Sequence, residues 1–198
     1  MYRYRKLTPQ QKRELVQERI RQGNPAHQPP HPVRGQLYYL LTAACYEHKP
    51  HLNSPPRRDH LQTLLLQEFS IPGIEISAWV VLPNHYHILA KVETFDVLGI
   101  IFQKIHGCTS REWNIEDDTL GRKVWYRYSD RAIRSERHYN ATLNYIHYNP
   151  VKHCGVSSPN EWKWSSLFWY YEDRGSQWLR DLWQCYPLKD YGKGWDDF

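Results

Sequence analysis

Residues 74–92, with the sequence IEISAWVVLPNHYHILAKV, predict a β-hairpin around which the rest of the chain can be arranged. The segments 74–82 and 85–92 are rich in β-branched and aromatic residues, and Pro83-Asn84 between them is typical of a turn. Side chains two positions apart in a strand point to the same face of a sheet. His85 and His87 are therefore predicted to share one face.

The segments before the hairpin predict a strand and a helix. Residues 36–46, QLYYLLTAACY, are largely apolar and predict a buried first strand. Pro55-Pro56 opens a helical pattern that ends at Ile71-Pro72-Gly73. Its apolar side chains recur at helical spacing, at Leu61, Leu64, Leu65 and Phe69.

The segments after the hairpin add a helix, a strand and another helix. Thr94 is a predicted cap of the first of these helices. Residues 124–133 predict a fourth strand near an edge, and Ser135-Glu136 begins a helix that Pro150 is expected to terminate. The order β-α-β-β-α-β predicts an α+β, ferredoxin-like antiparallel sheet with helices on one face, followed by a further helix.

Three regions are predicted along the chain. Residues 1–32 hold a basic helix, with a capping box at Thr8-Pro9-Gln10-Gln11, and a linker at Asn24–Pro32 that contains four prolines. Residues 33–169 form the main domain, whose compact part is expected to begin near Val33. Residues 170–198 form an aromatic and acidic extension.

The composition indicates a soluble, intracellular protein that can bind nucleic acid. The 198 residues carry a net charge of +5 with a pI of about 9.0, and the excess is concentrated at the N-terminus. That pattern suits a nucleic-acid partner but is equally explained by a solvated helix. The four cysteines form no CxxC pair, no apolar run reaches the roughly 18–20 residues of a membrane span, and MYRYRKLTPQ has no signal-peptide core.

Two constellations suggest chemistry. His85 and His87 are spaced to bind one metal ion, although a strand can also carry two merely half-exposed histidines. Tyr145 and Asn149 lie one helical turn apart, so a phenol and an amide oxygen can approach the same point. A tyrosine can cleave a phosphodiester by forming a covalent ester; the alternative is a packed core tyrosine.

Two histidines and an amide oxygen would leave open positions for phosphate and water. This mixed donor set suits Mg²⁺ or Mn²⁺ rather than a closed zinc site.

Four segments in order resemble the REP-associated tyrosine transposases, a branch of the single-tyrosine HUH transposases. They are LPNHYHILAKV, VWYRYSDRAIR, LNYIHYNPVKHCGV and EWKWSS, and the resemblance runs from roughly Gly35 to Ser166. It implies that His85, His87 and Asn149 are metal ligands and that Tyr145 is the nucleophile. It also implies a ferredoxin-like fold, cleavage of single-stranded DNA beside short hairpins, a 5′-phosphotyrosine intermediate and, preferentially, a monomer, with a dimer still open.

Further residues are weaker candidates. Lys104 matches a lysine that the family often has, and DNA contacts are predicted at Lys104, Arg127, Arg131, Arg134 and Lys152. The arginines fit a solvated sheet edge about equally well. Competing ligands or proton donors are His106, His138 and His153, each expected instead to lie in the core or on the surface. His147 and Tyr148 are expected to point away from Tyr145.

The predicted function is that of a metal-dependent single-stranded DNA endonuclease and strand transferase, located in the cytoplasm with the nucleoid. One alternative is a domesticated hairpin-binding protein without catalysis. The other is a metal-dependent hydrolase that uses water instead of tyrosine, which the lack of a third His or a nearby Asp/Glu at ligand spacing disfavours.

Overall fold

The computed structural model describes residues 7–21 and 37–192. The chain divides into two units, Met1–Gly35 and Gln36–Phe198. The predicted linker at Asn24–Pro32 and the predicted domain start at Val33 lie outside the described residues.

The first unit contains helix α1 (Pro9–Arg21). Its N-terminus carries the predicted capping box. The backbone N–H of Gln11 donates to Thr8 Oγ1 at 3.2 Å, and the backbone N–H of Thr8 donates to Gln11 Oε1 at 2.9 Å. The polar helix predicted at this place is therefore present.

The second unit is a four-stranded antiparallel sheet with helices on both faces. Its elements are β1 (Tyr38–Ala44), α2 (Pro55–Glu68), β2 (Ile74–Val81), β3 (His85–Val92), α3 (Asp96–Glu116), β4 (Ser129–Ala132), α4 (Glu136–His153) and α5 (Leu167–Cys185). The strand order is β2-β3-β1-β4, and all three pairings are antiparallel. This order confirms the ferredoxin-like α+β prediction. No helix in the described residues is long and apolar enough to cross a bilayer.

The alternation of side chains along β3 separates two layers of helices. Tyr86 points to the layer formed by α2 and α3, where its hydroxyl is 2.8 Å from His106 Nε2. His87 points to the opposite face, where α4 brings the Tyr145 ring to within 5.4 Å of the His87 ring, centroid to centroid. The helices of the βαββαβ unit thus lie on one face, as predicted, and α4 covers the other.

The motif EWKWSS covers the outer edge of β2. The backbone N–H of Val81 donates to Trp164 O at 2.9 Å, and that of Ser166 donates to Trp79 O at 3.0 Å. The Trp162 indole also donates to Val81 O, at 2.9 Å. Since an unpaired edge exposes backbone donors and acceptors, this motif completes the sheet on that side.

Three predicted boundaries are wrong. The fourth strand is limited to Ser129–Ala132, and upstream of it Trp125 forms an isolated bridge with Cys45. Phe95, not Thr94, is the N-cap of α3. Helix α4 continues through Pro150 to His153. A proline close to a helix end removes only one backbone hydrogen bond, and the Pro150 ring is buried in the fold.

Helix α5 was not predicted, since its sequence suggested only an aromatic tail. Gly175 has φ 81° and ψ 167°, so it breaks the helix into two segments. The helix spans position 169–170, which places the first part of the predicted extension in the same element as the end of the predicted domain.

A buried polar cluster joins β3 to α3. His106 stacks on the Trp125 ring at 4.6 Å and approaches the Tyr86 hydroxyl, while the Trp125 indole donates to Thr109 Oγ1 at 2.9 Å. Burial lowers the pKa of His106 from 6.5 to about 3. His106 is therefore neutral and packs, partly buried, against the core, in agreement with the expectation that it is a core or surface residue.

This histidine predicts acid sensitivity. Above about pH 6.5, His106 is neutral in both the folded and the unfolded state, and its contribution to the free energy of unfolding is fully present. Below that pH, the unfolded state binds a proton that the folded state excludes. Stability therefore decreases as the pH falls from about 6.5 towards 3. By about pH 5 the decrease due to His106 reaches about 2 kcal/mol.

Urea unfolding of the wild type and of His106→Gln at several pH values tests this prediction. The variant should lose less stability than the wild type between about pH 6.5 and 5, by about 2 kcal/mol, whatever its stability at neutral pH. Parallel curves for the two proteins would contradict the assignment.

Candidate active site

The two histidines of the hairpin lie at the start of β3, on the face covered by α4. His85 pairs with Ala44 and His87 with Thr42 across the β1–β3 ladder, and their rings lie 5.0 Å apart. Both are buried, at 0% and 1% exposure. The structure therefore places them on one face, as predicted, but in a covered site rather than an open one.

Each histidine ring has a partner at Nδ1. His85 Nδ1 lies 2.7 Å from Asn84 Oδ1, and His87 Nδ1 lies 2.7 Å from Thr42 Oγ1. Burial, followed by the nearby rings of His87, His153 and His48, holds the pKa of His85 well below its ordinary value. His85 is thus neutral at pH 7, which is the form that binds a metal.

Helix α4 contributes the other two predicted residues. Tyr145 is 2% exposed and Asn149 is 1% exposed, and both face β3. The Asn149 side chain donates from Nδ2 to the Tyr145 backbone oxygen at 2.9 Å, which turns its Oδ1 away from the helix. The side chain also lies close enough to His85 to favour the charged form of that ring.

The donor set fits a divalent cation of the hard or borderline class. Asn149 Oδ1 is buried beside the His85 ring, and no other donor in residues 7–21 and 37–192 reaches it with standard hydrogen-bond geometry. A buried carbonyl oxygen in such a position is well suited to bind a cation or a water molecule. No cluster of three or more His, Cys, Asp or Glu suited to a metal occurs in the same residues, so a metal here would depend on the amide oxygen.

Two more histidines lie beside the predicted set. The His153 ring is 5.2 Å from that of His85, so this competing ligand named from the sequence is close to the site. His48 also acts on His85 electrostatically and follows Glu47, and both have positive φ, 54° and 56°. Sequence reasoning missed His48, because only the chain reversal after β1 brings it to β3.

The segment after α5 covers Tyr145. The Tyr191 ring is 5.7 Å from that of Tyr145, and the Tyr191 hydroxyl is hydrogen-bonded to Thr142 Oγ1. A Cβ added to Gly192, which has φ 79°, would fall 2.1 Å from Tyr145 Cε2. Residues 191 and 192 therefore shield the Tyr145 ring, which is 2% exposed.

The predicted DNA-contacting residues do not form one group. Lys104 projects from α3 and pairs with Glu68 at 2.7 Å, in the helical layer on the opposite face of the sheet from His87. Arg131 acts electrostatically on His138 and Tyr191, and Arg134 acts on His138. Both arginines therefore lie near the segment after α5 that covers Tyr145. Arg127 and Lys152 are exposed.

His147 anchors α4 from its other side. Its Nε2 lies 2.9 Å from Ser166 Oγ, and that oxygen also accepts from the Trp79 backbone N–H at 3.1 Å. Burial lowers the pKa of His147 to about 3, so the ring is neutral. His147 points away from Tyr145, as predicted, and its contact with the EWKWSS segment fixes the face that α4 turns towards the histidines.

Ser166→Ala is expected to destabilise the fold by about 2 kcal/mol, because it removes a fully buried partner of both Trp79 and His147. For a domain of this size the melting temperature should fall by about 4–8 °C. Differential scanning calorimetry can compare this variant with Ser157→Ala, at an exposed position. Equal melting temperatures would show that this hydroxyl does not hold α4.

Comparison with known proteins finds similar chains both among curated proteins and among solved structures. The REP-associated tyrosine transposase of Escherichia coli (strain K12) is 31% identical over 95 residues, which are 47% of this chain and 54% of that protein. The chain thus matches about half the length of that relative. No protein-family model matches the chain.

Among solved structures, a REP-associated tyrosine transposase bound to a REP hairpin is similar with a TM-score of 0.55 and 22% identity, over 70% of this chain and 81% of that one. A putative transposase from Deinococcus radiodurans R1 has a TM-score of 0.41 and 20% identity, over 64% of this chain and 98% of that one.

Proposed function

We propose that this chain, a relative of the REP-associated tyrosine transposases in sequence and fold, is a metal-dependent single-stranded DNA endonuclease and strand transferase. The similarity to these transposases that the sequence motifs indicate is also found by comparison with a curated relative and with a solved structure. The observation that carries the catalytic proposal is the approach of Tyr145 and Asn149 on α4 to His85 and His87 on β3, with the Tyr145 ring 5.4 Å from that of His87.

The chemistry is a transesterification at phosphorus. The Tyr145 oxygen loses its proton to solvent and bonds to phosphorus while the bond from phosphorus to the 3′ oxygen breaks. The 3′ oxygen leaves, takes up a proton and becomes a hydroxyl, and the 5′ phosphate remains on Tyr145. One ester replaces another, so the reverse step can join the phosphate to a different 3′ hydroxyl.

A divalent cation held by His85, His87 and Asn149 would polarise a non-bridging phosphate oxygen and offset the charge that develops there. Mg²⁺ and Mn²⁺ are the candidates, because the set contains an amide oxygen and leaves positions for substrate oxygens and water. The neutral form of His85 and the buried Asn149 oxygen support this assignment.

The proposed substrate is single-stranded DNA that carries a hairpin next to the cleavage site. Two observations support it: the solved relative is bound to a REP hairpin, and Arg131 and Arg134 flank the tail above Tyr145. Arginines at such a position can contact backbone phosphates and hold the strand in register. Action on such DNA would place the protein with the nucleoid.

A second candidate is a hairpin-binding protein that no longer cleaves. The observation that favours it is the cover over Tyr145, which Tyr191 and Gly192 keep 2% exposed. This candidate retains the DNA partner and lacks the covalent step.

The test uses the full chain and single-stranded hairpins drawn from the DNA that flanks its own gene. We expect a covalent adduct on a denaturing protein gel with Mg²⁺ or Mn²⁺ and none with EDTA. Hairpin binding without an adduct in any metal would favour the non-catalytic protein. Nicked DNA without an adduct would favour a hydrolase that uses water.

A further inference from the structure

The hydrogen bond at His85 Nδ1 defines which ring nitrogen carries the proton. Asn84 Nδ2 donates to the His48 backbone oxygen at 3.3 Å, so Asn84 Oδ1 is the atom that faces His85, at 2.7 Å. A carbonyl oxygen can only accept, and therefore His85 Nδ1 must donate. In a neutral ring this leaves Nε2 as the nitrogen with the lone pair.

His87 receives a similar contact from the neighbouring strand. Thr42 lies directly opposite His87 in the β1–β3 ladder, and its Oγ1 is 2.7 Å from His87 Nδ1. A hydroxyl can accept the Nδ1 proton, which again leaves Nε2 for another partner. The Nε2 atoms of both rings are buried on the face where Asn149 lies.

We infer that Asn84 and Thr42 are positioning residues, which hold His85 and His87 in the orientation and tautomer that present Nε2 to a metal ion. The inference rests on the proposed function in that the two histidines bind the metal. Partners of this kind raise ligand basicity and fix ring direction in metal sites generally. In this role Asn84 and Thr42 act through the two imidazole rings, with which they form hydrogen bonds.

The position of Asn84 explains why a side chain from the hairpin turn suits this role. Its backbone oxygen accepts from the Cys45 N–H at 2.7 Å, which ties the turn to the end of β1. That backbone contact is independent of the side chain. Removing the amide should therefore change the state of His85 more than the path of the turn.

The first measurement is the tautomer, read by long-range ¹⁵N–¹H NMR of the histidine rings in the metal-free full chain. In the wild type, His85 should carry its proton on Nδ1. Asn84→Ala should give a mixture of tautomers, whereas Asn84→Asp, which keeps an acceptor, should retain the wild-type state. A wild-type pattern in Asn84→Ala would overturn the role of Asn84.

The second measurement is the affinity for Mn²⁺ alone, by electron paramagnetic resonance titration. Asn84→Ala and Thr42→Val should bind Mn²⁺ about 10–100-fold more weakly, and Asn84→Asp and Thr42→Ser should recover most of that affinity. Circular dichroism identifies any variant that fails to fold. If Asn84→Ala or Thr42→Val does not fold, the affinities of Asn84→Asp and Thr42→Ser decide the outcome.

Failure of the proposed metal site and failure of the positioning roles give different results. Wild-type chain that binds no Mn²⁺ would overturn the proposed metal site, and this inference with it. Mn²⁺ binding by the wild type, with unchanged affinity in folded Asn84→Ala and Thr42→Val, would overturn the positioning roles alone.

Discussion

Tyr145→Phe is expected to abolish the covalent protein–DNA adduct, with a decrease of more than about 1,000-fold, while the protein remains folded. The substitution removes only the phenol oxygen that is proposed to attack phosphorus. The ring keeps its contacts with His87 and Tyr191, which are ring-to-ring contacts. Melting temperature and hairpin affinity should therefore stay close to the wild-type values.

The position of the label makes this experiment specific for the proposed chemistry. In a 5′-phosphotyrosine the protein keeps the DNA downstream of the cut, so 3′-labelled DNA should give the adduct. The same DNA labelled at its 5′ end should give a short free fragment that ends in a 3′ hydroxyl. The opposite distribution of label would contradict the proposed polarity.

Tyr148→Phe is the matched control, because Tyr148 lies on the same helix but contacts Trp183 and is 37% exposed. We expect it to form the adduct at the wild-type rate. An adduct that persists in Tyr145→Phe and disappears in Tyr148→Phe would show that Tyr148, and not Tyr145, is the nucleophile. An adduct that persists in both would show that neither Tyr145 nor Tyr148 is required as the nucleophile.

The fold was largely predictable because each of its local signals is strong. The hairpin at 74–92 combines β-rich segments with a proline-containing turn, and the structure places β2 and β3 there within one residue of the predicted ends. Local sequence could not predict that Pro150 lies within a helix. That outcome depends on tertiary burial of its ring, which overrides the intrinsic preference.

The faces on which the candidate residues lie were predictable, but the surroundings of these residues were not. Alternation in a strand and the helical turn are local rules, and they place His85 and His87, and Tyr145 and Asn149, on common faces. Thr42 depends on the pairing register of β1 with β3, and the cover by Gly192 depends on the path after α5. Neither follows from spacing within one element.

The contacts of α4 explain why separate sequence motifs occur together in one chain. One face of the helix carries Tyr145 and Asn149 towards β3, and the other carries His147 to Ser166 of the EWKWSS motif. Rotation of the helix about its axis would separate Asn149 from His85 and break the hydrogen bond of His147 at once. The contact with the EWKWSS motif therefore fixes how Tyr145 and Asn149 face the histidines of the LPNHYHILAKV motif.

His87→Ala is expected to lower the affinity for Mn²⁺ by more than about 100-fold and to remove metal-dependent nicking. The loss of affinity on removing a direct metal ligand should be larger than the roughly 10–100-fold loss that is typical when a hydrogen-bond partner of a ligand is removed. The β1–β3 ladder should remain in place, because its strands pair through backbone groups, whereas the substitution removes the imidazole with its hydrogen bond to Thr42 and its ring contacts with His85 and Tyr145. Isothermal titration of the full chain with Mn²⁺ and with Mg²⁺ measures the affinity.

His60→Ala is the control for this substitution, since His60 is a partly exposed histidine on α2 that pairs with Glu112 at 3.2 Å. It should bind Mn²⁺ as the wild type does. If His87→Ala retains full Mn²⁺ affinity, the metal that supports nicking is bound elsewhere, and the hairpin histidines are a structural pair. If it no longer binds Mn²⁺ but still forms the Tyr145 adduct, the phenol attacks without help from a cation, and the electrostatic part of the mechanism must come from protein side chains.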